Sequence, residues 1–113
     1  MDTQKRHLQR LIVVLCSISS SRDMRAVLEC MLTDIELQEI INRFQIFEML
    51  DQGIPQREIS STLGVGIATV TRGAYAIKSR NYSVLNQYMK KNYKKNIGIE
   101  HTNSAIRASI GEL

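Results

Sequence analysis

Between Ile59 and Ile99 the sequence has no aspartate or glutamate, yet it has seven lysines and arginines. Residues 1–58 carry seven basic and nine acidic groups, and residues 100–113 carry one arginine and two glutamates. A basic block without compensating acid suits a polyanion better than it suits a merely solvated face. Long apolar runs are also missing: none approaches the ~20 residues of a membrane-spanning helix. Lys5 to Arg10 before LIVVLC resembles a secretion signal only faintly, because Leu8, Leu11, Ile12, Leu15 and Ile18 keep helical spacing. A cytoplasmic protein is expected. Cysteine is scarce: Cys16 and Cys30 stand in no paired metal or redox spacing and read as reduced, buried thiols. His7 and His101 have no ligand pattern around them, so no metal is expected. Gly64-Val65-Gly66 lacks the strand-to-helix setting of a nucleotide loop. Glu36, Glu39 and Glu48 have no plausible catalytic partner, so an enzyme is not expected.

The informative stretch runs from Gln56 to Ser79, QREISSTLGVGIATVTRGAYAIKS. It reads as two short helices joined by a glycine-bearing turn. Gly53 stops the preceding helix and Pro55 starts the next. Ile59 and Leu63, four apart, give the first helix one apolar side. Gly64 stands where a helix closes with a residue at positive φ. In the second helix Val70, Ala74 and Ile77 share one side, with Gly73 beside them. Ala68, Arg72 and Ala76 point the other way, flanked by Thr69, Thr71 and Tyr75. A small outward face lets such a helix seat in a major groove, where threonine meets bases, phosphates or a thymine methyl. The β-branched Ile67, Thr69, Val70 and Thr71 would also tolerate a strand. Helical spacing to Ile77 and the failure of strict alternation favour a helix, though one weak in isolation.

The remaining segments are helical too. Expected helices run from Thr3 to Ile18, Asp23 to Met31, Asp34 to Gln52 and Tyr82 to Asn96. The first has apolar residues on several sides, including Val13 and Val14, as a partner-helix interface would. Thr33 with Glu36 forms a capping box that starts the third helix at Asp34. Lys90, Lys91, Lys94 and Lys95 cluster at the end of the last helix, where cations suit the dipole. The fold class is therefore all-α, a bundle of about six short helices containing a helix-turn-helix. Residues 1–96 form one domain and residues 97–113 a flexible tail. No helix pair makes much of a core alone, so a dimer is expected, which also suits two half-sites on DNA.

The run Leu63-Gly64-Val65-Gly66-Ile67-Ala68-Thr69-Val70-Thr71-Arg72-Gly73 resembles the signature of the tryptophan operon repressor family. The likeness extends through Gln56-Arg57-Glu58, Arg43 and Leu32-Thr33, and covers about residues 22–80. It implies an intertwined homodimer that binds L-tryptophan as corepressor. So loaded, the dimer would bind double-stranded operators of tryptophan biosynthesis or transport genes. The positions matching the family's pocket are Arg43, Arg72 and Gly73 of one subunit and Cys30, Leu32 and Thr33 of the other, with Phe47 beside the ring. Arg72 and Thr33 would hold the carboxylate. Backbone carbonyls near Cys30 and Leu32 would accept from the ammonium. The guanidinium planes of Arg43 and Arg72 would sandwich the indole. The DNA-contacting positions implied are Gln56, Arg57, Ile67, Ala68, Thr69, Thr71, Arg72 and Lys78, with Arg57 suited to guanine. No other cofactor is implied. Four features depart from the family pattern: Ala76 replaces a serine near the ammonium, Cys30 replaces an aliphatic residue, though only its backbone carbonyl need act, Phe47 is larger than the usual residue, and the loop Gly53 to Gln56 is one residue shorter. A regulator of the same fold that needs no ligand, or senses another amino acid, is the alternative.

Overall fold

The computed structural model describes residues 2–93 and is all-α among them. Six helices follow one another: α1 (Thr3–Cys16), α2 (Ser21–Met31), α3 (Asp34–Asp51), α4 (Gln56–Leu63), α5 (Ile67–Ala76) and α6 (Arg80–Tyr93). The expected tail, with Lys94, Lys95 and the end of the last helix, lies outside the described residues. Two compact units divide the chain, the first ending at Met49 and the second beginning at Leu50, a boundary inside α3.

The starts of α2, α3 and α6 are set by hydroxyl caps. Thr33 N–H donates to Glu36 Oε1 at 2.9 Å, and Glu36 N–H donates to Thr33 Oγ1 at 3.1 Å. The reciprocal pair of the capping box thus opens α3 at Asp34, as the sequence leads one to expect. Two other helices begin two residues earlier than expected. Ser20 Oγ accepts from Asp23 N–H, so α2 starts at Ser21 rather than Asp23. Ser79 Oγ accepts from Tyr82 N–H, so α6 starts at Arg80 rather than Tyr82. In both cases a serine takes an end N–H that would otherwise lack a partner. The first helix stops at Cys16, short of Ile18, with Ser17 as its C-cap.

Within the first unit no side chain of α1 or α2 is buried. Leu8, Val13 and Met31 are more than half exposed, and Leu11, Ile12, Val14 and Leu28 are exposed as well. The expected burial of α1 on several sides is therefore not met by this single chain. Cys16 and Cys30 are likewise exposed free thiols, not the buried ones expected. Further along, Ile46 and Phe47 of α3 are buried.

The second unit is better packed. Helices α4 and α5 lie against each other, and Ile59 and Val70 are fully buried. Met89 is the buried residue of α6. Two side-chain hydrogen bonds tie α6 to the end of α3 and the residue after it: Asn86 Nδ2 donates to Asp51 Oδ1 at 3.0 Å, and Gln52 Nε2 donates to the Tyr93 hydroxyl at 3.4 Å.

Candidate nucleic-acid interface

The turn between α4 and α5 is closed by backbone geometry and one hydroxyl. Gly64 caps α4 in the left-handed region at φ 67°, a conformation that costs a residue with a Cβ. Gly64 N–H and Val65 N–H both donate to the Ser60 carbonyl, at 3.0 and 3.2 Å. Ser60 Oγ donates in return to the Val65 carbonyl at 2.6 Å. Ser60 is a residue the sequence reading missed. Its partner lies five positions on, and the two meet only because Gly64 reverses the chain.

A second tie joins the start of α4 to the middle of α5. Thr71 Oγ1 lies 3.0 Å from Gln56 Oε1 and 3.0 Å from the Ile67 carbonyl. A hydroxyl has one hydrogen, so it donates to one of them at a time. With the Gln56 amide turned over, its NH2 group donates to Thr71 while Thr71 donates to Ile67. Either way, two of the residues expected at DNA hold each other. Both are only partly exposed.

Helix α5 forms despite its β-branched residues because its inward side is occupied: Val70 and Gly73 are buried. Outward, Ile67, Ala68, Arg72 and Lys78 are exposed, and Thr69 is half-buried. Gly66 caps the helix start without any side-chain hydrogen bond. The amide hydrogens of Ile67 and Ala68 therefore face the N-terminal end of the helix dipole, where a phosphate oxygen is a natural acceptor. Arg57 is exposed in the first turn of α4. The Lys78 ammonium rests 5.4 Å from the centre of the Tyr75 ring. The second unit thus brings all eight expected DNA residues onto α4, α5 and the turn that ends α5.

The expected ligand residues fall in both units and are placed within each. In the first, Cys30 sits in the last turn of α2, Leu32 is its extended C-cap, and Thr33 follows. The Thr33 hydroxyl accepts in the capping box and has one hydrogen of its own, which goes to the Glu36 carboxyl or to another acceptor, one at a time. The same box holds the Glu36 carboxyl below the ordinary carboxylate range, chiefly through the Thr33 N–H and secondarily through its hydroxyl. Arg43 is exposed on α3, whereas Phe47 is buried. In the second unit, Arg72 is exposed and its neighbour Gly73 buried. No group of acidic, histidine or cysteine side chains among the described residues is arranged to hold a metal ion. No helix among them is long and apolar enough to cross a membrane.

Two short helices locked at a left-handed glycine, the second exposing Ala68, Arg72 and, in the turn that ends it, Lys78 on its outward side, define a helix-turn-helix DNA-binding protein. The sequence model of the family described as Trp repressor protein matches residues 6–93. The chain belongs to that family, one of transcriptional regulators. A Trp operon repressor homolog of Xylella fastidiosa (strain M23) is 39% identical over 80 residues, 70% of this chain and 87% of that protein. One of Vibrio parahaemolyticus is 33% identical over 81 residues, 71% of this chain and 79% of its own. A third, of Vibrio cholerae, reaches 45% over 56 residues, 49% of this chain and 54% of its own. No solved structure gives a significant match.

Proposed function

We propose that the protein is a tryptophan-dependent repressor, which as a homodimer binds L-tryptophan and then the operators of tryptophan biosynthesis or transport genes. The observation that carries the DNA half is the outward side of α5 and of the turn that ends it, which exposes Ala68, Arg72, Tyr75 and Lys78 within a segment free of acid. Arg57 reads guanine through O6 and N7 together. Gln56, Thr69, Thr71, Arg72, Lys78 and the amides of Ile67 and Ala68 engage phosphates, directly or through water. The apolar side chains that α1, α2 and α3 leave exposed are the surface a second subunit covers.

Support for the ligand half is the joint presence of Thr33, Arg43 and Arg72 at positions that resemble the family's pocket. Arg72 pairs with the carboxylate, and the Thr33 hydroxyl donates to it in place of the Glu36 carboxyl. The carbonyls near Cys30 and Leu32 accept from the ammonium. Arg43 and Arg72 stack on the indole, with Gly73 and Phe47 beside it. The ligand stabilises the orientation of the helix-turn-helix that fits successive major grooves, a shift of population towards the DNA-competent state. Ala76 favours a second reading, a regulator of the same fold with another amino-acid ligand or none, because it offers the ammonium no hydroxyl.

The chain has no tryptophan, so added L-tryptophan excited at the red edge is seen without protein background. The test is a titration with protein, run beside D-tryptophan, tyrosine and phenylalanine. Saturable binding of L-tryptophan at one site per subunit is expected. No binding at millimolar ligand would leave the helix-turn-helix and remove the corepressor.

A further inference from the structure

Helix α5 carries one aromatic side chain on its outward side. Tyr75 is 70% exposed, on a helix whose other outward positions are Ala68, Thr71 and Arg72. Counting at 100° per residue, it stands roughly 140° from Val70 and 160° from Gly73, nearly opposite the buried side. It lies four residues after Thr71 and three before Lys78, so these three form one row. The row is not just a matter of spacing, because the Lys78 ammonium sits over the Tyr75 ring at 5.4 Å. The last turn, in which Lys78 N–H donates to the Tyr75 carbonyl at 3.1 Å, holds the two residues in this arrangement.

An exposed aromatic ring costs little when it packs against nothing, but it also contributes nothing to this fold. Its surroundings are those of a surface for a polyanion: an amide-bearing helix start, a threonine, an arginine and a lysine. A phenol suits the edge of a DNA groove. Its ring covers a deoxyribose or a thymine methyl, and its hydroxyl donates to a phosphate oxygen. A lysine side chain loses much rotamer freedom when it fixes on a phosphate. A ring beneath its ammonium holds it in place beforehand, so less freedom is lost on binding.

We propose that Tyr75 is a DNA-contacting and positioning residue, which donates to a phosphate at the groove edge and aims the Lys78 ammonium at a neighbouring one. This rests on the DNA-binding reading above. The test uses double-stranded oligonucleotides enriched from a random pool by the wild-type protein, with and without L-tryptophan. Tyr75→Ala should bind the enriched duplexes roughly tenfold more weakly, the scale of a lost hydrogen bond to a charged group. It should also flatten the dependence of log affinity on log salt by about two units, as the two Lys78 side chains of the dimer release their phosphates. Tyr75→Phe should keep the wild-type slope, because the ring still carries the ammonium, and lose only the part due to the hydroxyl. Lys78→Ala should add little in the Tyr75→Ala background. Thermal melting of the exposed-site variants is expected to match wild type, which separates contact from folding. Unchanged affinity and slope in Tyr75→Ala would overturn the role of Tyr75 while leaving DNA binding intact. A wild-type protein that enriches no duplex overturns the DNA-binding reading, and the role of Tyr75 with it.

Discussion

Gly64 is the residue on which the turn depends, and its conformation can be tested apart from its surroundings. A Cβ built there meets no heavy atom within 4 Å, so Gly64→Ala pays only for its φ of 67°. A loss of about 1 kcal/mol is expected, read from chemical denaturation. A much larger loss would point to a clash the structure lacks. Arg57→Ala should weaken operator binding by ~1–3 kcal/mol and relax preference at one base pair. Uniform weakening on every duplex would reduce Arg57 to a phosphate contact. Glu36 makes a pH prediction. Its folded pKa is lowered by the Thr33 hydrogen bonds, so its contribution is complete above its unfolded pKa and fades as pH falls through the lowered one. The melting-temperature gap between wild type and Glu36→Ala should therefore narrow on acidification. A gap that widens in acid contradicts the capping role. Much at this scale was legible: Thr33 with Glu36 and Gly64 before Val65 are local patterns, each complete within a few residues. The Ser60 tie was not, since its geometry exists only once the turn has formed.

Helices were legible in type more than in extent. The apolar spacing of Ile59 with Leu63, and of Val70 with Ile77, placed α4 and α5 within the stretch that holds them. The start of α2 was less clear because Ser19, Ser20 and Ser21 compete to cap it, and that of α6 because polar Arg80 and Asn81 precede its apolar spacing; the hydrogen bonds of Ser20 and Ser79 decide. Helix α5 shows why propensity misleads when read alone. Its β-branched residues cost it stability in isolation, but Val70 is fully buried and its partner helix carries an equally buried Ile59. Ile59→Ala should cost about 3 kcal/mol, the scale of a large-to-small change in a core. It should also weaken DNA binding, though Ile59 faces away from the outward row. If operator affinity survives at temperatures where the variant is folded, α4 and α5 do not depend on this packing for their relative angle.

At the scale of the whole molecule, what the sequence could not convey is which apolar surface one chain covers for itself. The breadth of the first helix suggested burial on several sides, and the single chain leaves those residues open. Leu8, Val13 and Met31 cannot tell a reader of sequence whether their partner is in the same chain or another. The proposed homodimer would resolve this, and would make folding depend on concentration. The melting temperature should rise as protein concentration rises, with a dimeric mass in sedimentation. A concentration-independent melt at monomer mass would remove the homodimer. The two sides of α5 also have separate consequences for the descent of such proteins. Substitutions at Ala68 or Tyr75 touch no packing, so operator preference can drift through them without passing through unstable intermediates. Thr71 cannot drift so freely, because the hydroxyl proposed to meet DNA is also the one bonded to Gln56 or Ile67. New specificities should therefore arise around Thr71 rather than at it.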